Sequence, residues 1–213
     1  MHSRYGWPHE KESVKKMTKD WTGNTQSVFQ TLAASSHTDS DRADMDYYAT
    51  EPKAVRLLLE MEKFEGKIWE CACGEGSLSR EMLRLGYEVK SSDLIDRNYG
   101  EVFDFLSIAN QHIECNIITN PPYRYANEFI LKALQILEHG KRAAFFLPIR
   151  YAEGKERKKI FLNHPPKTVY VSSSRLACAK NGNFEDMTGN AVAYAWFVWQ
   201  KGFTGTTELK WFN

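Results

Sequence analysis

Two consecutive prolines, Pro121 and Pro122, place the strongest constraint on how this chain can fold. They follow Cys115-Asn116-Ile117-Ile118-Thr119, an apolar run with the length and composition of a short buried strand. Proline fixes φ and lacks an N–H group, so the strand must end in a turn rather than continue into a helix. Open α/β sheets bind ligands beyond the carboxyl ends of their strands. The sequence therefore predicts a binding site at Asn120-Pro121-Pro122-Tyr123.

The groups of this turn suit a planar amine. The Asn120 side-chain oxygen and the Pro121 carbonyl can each accept one hydrogen of an exocyclic amino group. This pairing draws the nitrogen toward tetrahedral geometry and turns its lone pair toward an electrophile, so no general base is required. Tyr123 can offer a flat face, and stacking of a base on an aromatic ring is worth roughly 1–3 kcal/mol. The alternative is an ordinary strand-end turn whose tyrosine packs on the core.

A second turn follows the strand predicted over residues 67–73. Gly74-Glu75-Gly76 precedes a predicted helix, and its glycines allow the backbone to approach a ligand closely. A dinucleotide-binding turn would have a third glycine where Leu78 and Ser79 stand, and Glu75 disfavours an anion. The acidic strand end at Glu70 instead suits a ligand that carries an amine.

Further carboxylates follow in the next segments. Asp93 ends the strand predicted over residues 87–92, about 20 residues beyond the glycine turn, where such sheets bind ribose hydroxyls. Asp104 beside Phe105 fits an adenine amino group and ring face. The alternatives are a helix or turn cap for Asp93, and a capped turn with a core phenylalanine for Asp104 and Phe105.

Thr50 and Pro52 predict the start of a helix that runs to about Lys63, with Thr50 as the N-cap. The free N–H groups of this helix start, together with Tyr47 and Thr50, could hold the carboxylate or the adenosine of a cofactor. The alternative is a simple capping motif.

A basic segment follows the buried strand predicted over residues 142–148. Such a run is usually a solvated helix face, but beside the proline turn it is also the best candidate for phosphate contacts. The basic residues of this DNA-binding candidate are Arg150, Lys155, Arg157, Lys158 and Lys159.

Composition and charge limit the class of protein. The chain is 42% hydrophobic with a net charge of +1, so it can bury a full core but is not built for strong non-specific binding to nucleic acid. The absence of a bilayer-length apolar run or a signal-peptide pattern favours a cytoplasmic protein that does not enter membranes. Cys71 and Cys73 could in principle ligate a metal, but no second cluster completes a site, so buried thiols and no metal are expected.

The chain divides at about residue 45. Residues 1–45 are polar and irregular and predict a flexible arm, with ordering over cofactor or substrate as the alternative. Residues 46–213 predict one domain, in which residues 175–190 form a polar loop able to reach the substrate side. Strands are expected at 168–171 and 191–199, and 208–212 is expected to pair at the edge.

Taken together, these motifs resemble the S-adenosylmethionine-dependent amino-methyltransferases. Within them they are most similar to the DNA adenine-N6 methyltransferases of the NPPY type, particularly short phage and prophage versions. The residues that carry the resemblance are 47–52, 70–76, 92–94, 104–105, 120–123 and 193–202, in the family's order. The NPPY turn alone is shared with enzymes that methylate RNA adenine or protein glutamine.

The resemblance implies S-adenosylmethionine as cofactor and DNA as partner. The implied cofactor-binding residues are Tyr48, Thr50, Glu70, Ala72, Gly74, Gly76, Asp93, Leu94, Asp104, Phe105 and Asn120. The residues implied to hold a flipped adenine for catalysis are Asn120, Pro121, Pro122 and Tyr123. The chain departs from the family mildly at Glu70 and Cys73. It also has no separate target-recognition domain, so specificity would come from the 175–190 loop, the arm or an oligomer partner.

The predicted fold is α/β: a Rossmann-like class I methyltransferase fold with a doubly wound, seven-stranded, mostly parallel sheet and an antiparallel C-terminal hairpin. The predicted activity is methyl transfer to the N6 amino group of adenine in DNA. Transfer to RNA adenine or protein glutamine is the second hypothesis. A non-catalytic, cofactor-binding partner protein is the third.

Overall fold

The computed structural model describes residues 48–174, 176, 178–180 and 192–212. The arm expected over residues 1–45, Tyr47 and most of the 175–190 loop lie outside these described residues. In the described part of the chain, no helix is long and apolar enough to cross a bilayer.

Ten strands form two sheets. The strands are β1 (Tyr48–Thr50), β2 (Ile68–Glu70), β3 (Val89–Asp93), β4 (Glu101–Val102), β5 (Asn116–Thr119), β6 (Arg142–Pro148), β7 (Thr168–Ser172), β8 (Cys178–Lys180), β9 (Tyr194–Gln200) and β10 (Glu208–Phe212). Eight of them form the main sheet in the order β10-β7-β9-β6-β5-β2-β3-β4. The other two, β1 and β8, form a separate antiparallel ribbon.

The main sheet is mostly parallel, as predicted. Its antiparallel strand is β9, which lies between β6 and β7 and pairs with both, so the antiparallel pairing is at the C-terminal end of the chain. The predicted count of seven strands is wrong, because the short segment Glu101–Val102 forms an eighth strand, β4, beside β3. Residues 208–212 pair at the other edge, as predicted, but β10 runs parallel to β7 and does not form the predicted antiparallel hairpin.

Helices cover both faces of this sheet. They are α1 (Pro52–Met61), α2 (Ser77–Arg84), α3 (Ala126–Ile136) and α4 (Lys155–Asn163), with 3-10 turns at Phe105–Ser107, Tyr123–Tyr125 and Ile149–Ala152. Apolar residues of α1 and α2 belong to one buried cluster, and those of α3 and α4 belong to the other. The doubly wound arrangement expected from the sequence is therefore present.

The central strands are apolar on both faces because both faces are covered. In β6, Ala143, Phe145 and Leu147 pack in the cluster of α3 and α4, whereas Ala144 and Phe146 pack in the cluster of α1 and α2. These five side chains are all 0% exposed. Successive side chains of a strand point to opposite faces, so a continuous apolar run is what a strand between two helical layers requires.

The first helix differs from the prediction at both ends. Glu51, not Thr50, is at the N-cap position, and Thr50 instead ends β1. The helix stops at Met61 because Glu62 is extended, with φ −127° and ψ 131°. The Glu62 carboxylate accepts hydrogen bonds from Arg142 Nη1 and the Tyr170 hydroxyl, both at 2.8 Å, which ties the helix end to β6 and β7.

One tryptophan links the sheet to the first helix. Trp196 of β9 is 0% exposed, and its Nε1 donates to the Ala54 carbonyl of α1 at 2.9 Å.

We expect Trp196→Phe to lower the free energy of unfolding by about 2 kcal/mol, because it leaves a small cavity and removes this hydrogen bond. Urea denaturation measures the change. The matched control is Trp211→Phe on β10, where the side chain is 62% exposed; a shift above about 0.5 kcal/mol there would contradict this account.

Candidate active site at the carboxyl edge of the sheet

Three neighbouring parallel strands end at the same edge, which we call the carboxyl edge. The register pairs Trp69 of β2 with Ile117 of β5. Carried three residues further, it sets Ala72 level with Asn120. The pairing of Glu70 with Ser91 likewise sets Asp93, at the end of β3, level with Ala72. The glycine turn and the proline turn therefore follow adjacent strands, as the sequence predicts.

The proline turn has the geometry that its composition requires. Pro122 has ψ 122°, and the chain then makes a 3-10 turn, in which the Tyr125 amide donates to the Pro122 carbonyl at 2.9 Å, before α3 begins. The Pro121 carbonyl accepts none of the hydrogen bonds found within the described ranges. It can therefore accept a hydrogen bond from a ligand.

Asn120 is held by a residue that is distant in sequence. Its Nδ2 donates to Thr50 Oγ1 at 2.8 Å, and Thr50 itself is 2% exposed. Because the amide is planar, this bond points Oδ1, on the other branch of the amide, away from Thr50. Thr50 was predicted to cap a helix and bind a cofactor; in the structure it contacts the proline turn.

Tyr123 is half-buried and packs against both core clusters. Its ring centroid is 6.3 Å from that of Tyr194, and its hydroxyl donates to Cys178 Sγ at 3.9 Å. Burial raises the pKa of the Tyr123 hydroxyl well above its ordinary value. The tyrosine is therefore neutral near pH 7 and its contribution to a site is its ring rather than a charge.

The glycine turn is tied to the end of the next strand. Gly74 has φ +54°, and its amide donates to Asp93 Oδ2 at 2.8 Å. Asp93 Oδ1 accepts from the Ile95 amide at 3.0 Å. Each carboxylate oxygen has two lone pairs, so these bonds leave Asp93 able to accept from ribose hydroxyls as well. The turn-cap role weighed for Asp93 is thus present, and ribose binding stays a prediction.

Gly76 is a glycine for a steric reason. Its φ is +83°, and a Cβ at this position would lie 2.3 Å from the Tyr99 ring. The Arg80 guanidinium lies over the Tyr99 ring, 4.5 Å from its centroid. Tyr99 therefore packs directly on the glycine turn, a contact that no pattern in the sequence indicated.

Glu70 lies behind the glycine turn rather than in an open crevice. It is 2% exposed, and its carboxylate accepts from the Ser79 hydroxyl, which is 2.6 Å from the Ser91 hydroxyl. Burial, with a smaller contribution from the nearby Asp93 charge, raises the pKa of Glu70 to about 8, so its carboxyl group is mostly protonated near pH 7. A cation at this turn would interact favourably with Asp93 and would favour the ionised form of Glu70.

The remaining predicted cofactor residues differ in exposure. Asp104 is exposed and caps a 3-10 turn, its Oδ1 accepting from the Leu106 amide at 2.9 Å. The Phe105 ring is 1% exposed and lies between Trp69 and Phe129, with centroids at 5.3 and 5.0 Å. The capped turn with a core phenylalanine is therefore the arrangement found, and the Phe105 ring has no open face for an adenine.

Two more of these residues border the turns and a third is in the ribbon. Ala72 is half-buried within the glycine turn, and Leu94 is 65% exposed directly after β3. Tyr48 belongs to β1, and its side chain lies outside the description.

The basic residues lie beside the proline turn. Arg150 follows β6 directly, and Lys155 begins α4, so both are near the carboxyl edge. Arg157 is partly committed to packing, with its guanidinium 4.9 Å from the Tyr151 ring centroid, and Lys159 pairs with Glu156 at 2.8 Å. Arg150, Lys155 and Lys158 are exposed and face solvent.

The cysteines are buried thiols, as expected. Cys71, Cys73, Cys115 and Cys178 are all free and buried, and burial raises the pKa of Cys178 to about 11. Within the described ranges, no group of three His, Cys, Asp or Glu side chains is placed to hold a metal ion.

The buried carboxyl group of Glu70, with its raised pKa, predicts a stability that depends on pH. Between its ordinary pKa of 4.5 and about 8, the native state retains a proton that the unfolded state releases, so stability falls as pH rises. We expect Glu70→Gln to remove a slope of up to about 1.4 kcal/mol per pH unit. Urea denaturation of both proteins at pH 5, 6, 7 and 8 measures it. Glu75→Gln, in the same turn but exposed, is the control; an equal stability difference between wild type and Glu70→Gln at pH 5 and pH 8 would refute the assignment.

No protein-family model matches the chain, and no curated protein matches it. Solved structures do. A candidate class I S-adenosylmethionine-dependent methyltransferase from Listeria monocytogenes is 11% identical, with a TM-score of 0.51 over 88% of this chain and 70% of that one. A protein studied in the conversion of a disulfide bond into a thioacetal group during echinomycin biosynthesis is 13% identical, with a TM-score of 0.50 over 73% and 84%. With its sheet order and covered faces, the chain has the Rossmann-like fold of class I methyltransferases.

Proposed function

We propose that this protein transfers a methyl group from S-adenosylmethionine to the N6 amino group of adenine in DNA, with the base flipped out of the helix. The observation that carries the proposal is that the proline turn and the glycine turn follow adjacent parallel strands, β5 and β2. An acceptor pair for an amine and a turn suited to a cationic cofactor are thereby neighbours.

The residues of the glycine turn fit this cofactor. S-adenosylmethionine is a sulfonium with an amino acid end, and when bound it supplies an electrophilic methyl group. Asp93 provides negative charge beside the turn, which suits the sulfonium and the ammonium, and a bound cation would favour the ionised form of the buried Glu70 carboxyl group. Gly74 and Gly76 both have a positive φ, so the turn has no Cβ at either position. The acidic Glu75 in the turn weighs against a nucleotide diphosphate at the same place.

Two exposed carboxylates can bind the nucleoside part of the cofactor. Asp93 retains lone pairs for the ribose hydroxyls beyond its bonds to Gly74 and Ile95. Asp104 is exposed two residues past β4, where it can accept from the adenine amino group. Glu70 lies behind the turn and can lose its proton when a cation binds there, and Leu94 and Ala72 provide apolar contacts.

The proline turn positions the target amine of the substrate. Asn120 Oδ1 and the Pro121 carbonyl each accept one hydrogen of the target amine, which turns the nitrogen lone pair toward the methyl group. The half-buried Tyr123 ring offers a stacking face for the base.

A base inside a duplex cannot reach such a turn, so the target nucleotide must leave the stack, at a cost of a few kcal/mol. The exposed Arg150, Lys155 and Lys158 support binding of the flanking phosphates, because they lie at the same edge as the turn. The net charge of +1 is consistent with phosphate contacts confined to this region.

Asn120→Ala is expected to lower methyl transfer by at least about 100-fold, the scale of losing a positioned acceptor at a reacting atom, while cofactor affinity is retained. Nucleoside mass spectrometry of DNA and RNA from a methylation-deficient host measures the product, and calorimetry measures cofactor binding. Asn110→Ala, an exposed asparagine away from the turn, is the matched control.

The outcomes separate the hypotheses. N6-methyladenine in DNA with wild type but not with Asn120→Ala supports the proposal. The same mark in RNA, or methylated glutamine in protein, assigns the activity to another acceptor. Failure of the wild type to bind S-adenosylmethionine would contradict the enzyme altogether and favour a non-catalytic partner protein.

The basic residues predict a salt dependence. Lys155→Ala/Lys158→Ala should reduce the slope of log affinity for DNA against log salt by about 2, since each phosphate contact contributes roughly 0.9. Binding is measured by fluorescence anisotropy between 50 and 200 mM salt, a range in which such contacts change affinity strongly. The control is Lys63→Ala/Lys67→Ala, which removes two exposed lysines at the opposite edge of the sheet. Equal slopes for the two double variants would show that DNA does not contact α4.

A further inference from the structure

The ribbon of β1 and β8 brings two buried polar side chains to the proline turn. Thr50 and Cys178 are direct partners in the antiparallel register. They are 2% and 6% exposed. The ribbon is separate from the main sheet and is formed by segments far apart in sequence, one before α1 and one after β7.

Hydrogen bonds run from the proline turn into this ribbon. Asn120 Nδ2 donates to Thr50 Oγ1 at 2.8 Å, and the Tyr123 hydroxyl donates to Cys178 Sγ at 3.9 Å. The first and last residues of the turn, Asn120 and Tyr123, are thus both anchored to the same pair of ribbon residues.

These bonds have a defined direction. Thr50 Oγ1 accepts from Asn120 Nδ2, and the Cys178 sulfur accepts from the Tyr123 hydroxyl. The Thr50 oxygen therefore faces the nitrogen of the Asn120 amide and not its oxygen. An asparagine amide can otherwise rotate by a half turn and exchange its oxygen and nitrogen.

We propose that Thr50 is a positioning residue that selects the acceptor-out orientation of the Asn120 amide. The inference rests on the proposed function, since the orientation matters because Asn120 Oδ1 accepts from the target amine. With the amide reversed, Nδ2 would face the amine, and two donors would oppose each other. Thr50 acts through Asn120 and has no contact with the reacting atoms.

Two variants test the proposal. Thr50→Val keeps the shape of the side chain but has no acceptor, and is expected to lower kcat about 10-fold, the equivalent of one hydrogen bond of ~1.4 kcal/mol, with cofactor affinity within twofold. Thr50→Ser keeps the hydroxyl and is expected to restore most of the lost kcat.

The kcat values and cofactor affinities of the variants decide whether Thr50 positions Asn120. A kcat for Thr50→Val within twofold of wild type overturns the proposal. An equal loss in Thr50→Ser and Thr50→Val also overturns it, because the hydroxyl then has no role. Weakened cofactor binding in Thr50→Val, with kcat unchanged, would return Thr50 to the cofactor site.

A second measurement does not depend on activity. The side-chain amide protons of Asn120, assigned by their absence in Asn120→Ala, are followed by hydrogen exchange in NMR spectra of the full chain. Exchange is expected to be about 10-fold faster in Thr50→Val than in wild type or Thr50→Ser, because ~1.4 kcal/mol of protection is lost. Equal exchange in all three overturns the proposal. If wild type methylates no acceptor, the proposed function fails, yet this comparison still decides whether Thr50 holds Asn120.

Discussion

The burial of β5, β6 and β9 on both faces is the constraint on which the rest of the structure depends. Ile117 and Ile118 of β5 belong to opposite core clusters and are both 0% exposed. A shift of one residue in register would exchange every such side chain between faces, so the register is strongly specified. Because it is specified, β2, β3 and β5 end level with one another, and the glycine turn, Asp93 and Asn120 meet at one edge. The site is built of turns, but the sheet determines where those turns begin.

Polar groups are buried beside this apolar core, and their burial lowers the stability of the fold. A carboxylate as buried as Glu70 is unfavourable when charged, and the Ser79 hydroxyl offsets only part of that cost. Buried groups with shifted pKa values are typical of functional sites, where the charge serves a ligand rather than the fold. In the ribbon, Thr50 and Cys178 are also buried, and they accept hydrogen bonds from Asn120 and Tyr123 of the proline turn.

Several elements could be predicted because their signals are local. Proline ended β5, and the apolar run over residues 142–148 matched the observed β6, Arg142–Pro148. Other features depend on contacts distant in sequence. Thr50 looked like a helix cap because its neighbours were Glu51 and Pro52, yet its partner is 70 residues away. Phe105 looked available beside Asp104, but its ring fills the space between Trp69 and Phe129. The strand β8 lies inside a segment whose polar composition indicated only a loop.

The amino-acid sequence by itself determined the order of strands and helices, the places where strands stop, and the chemical types present at the two turns. Those properties follow from backbone sterics and hydrophobic periodicity, which act over a few residues. The tertiary structure alone decided that β10 pairs in parallel with β7 rather than in a hairpin, that Tyr99 packs on Gly76, and that Thr50 and Cys178 hold the proline turn. Each of these is a contact between segments far apart along the chain, and its energy depends on packing geometry that no local pattern encodes.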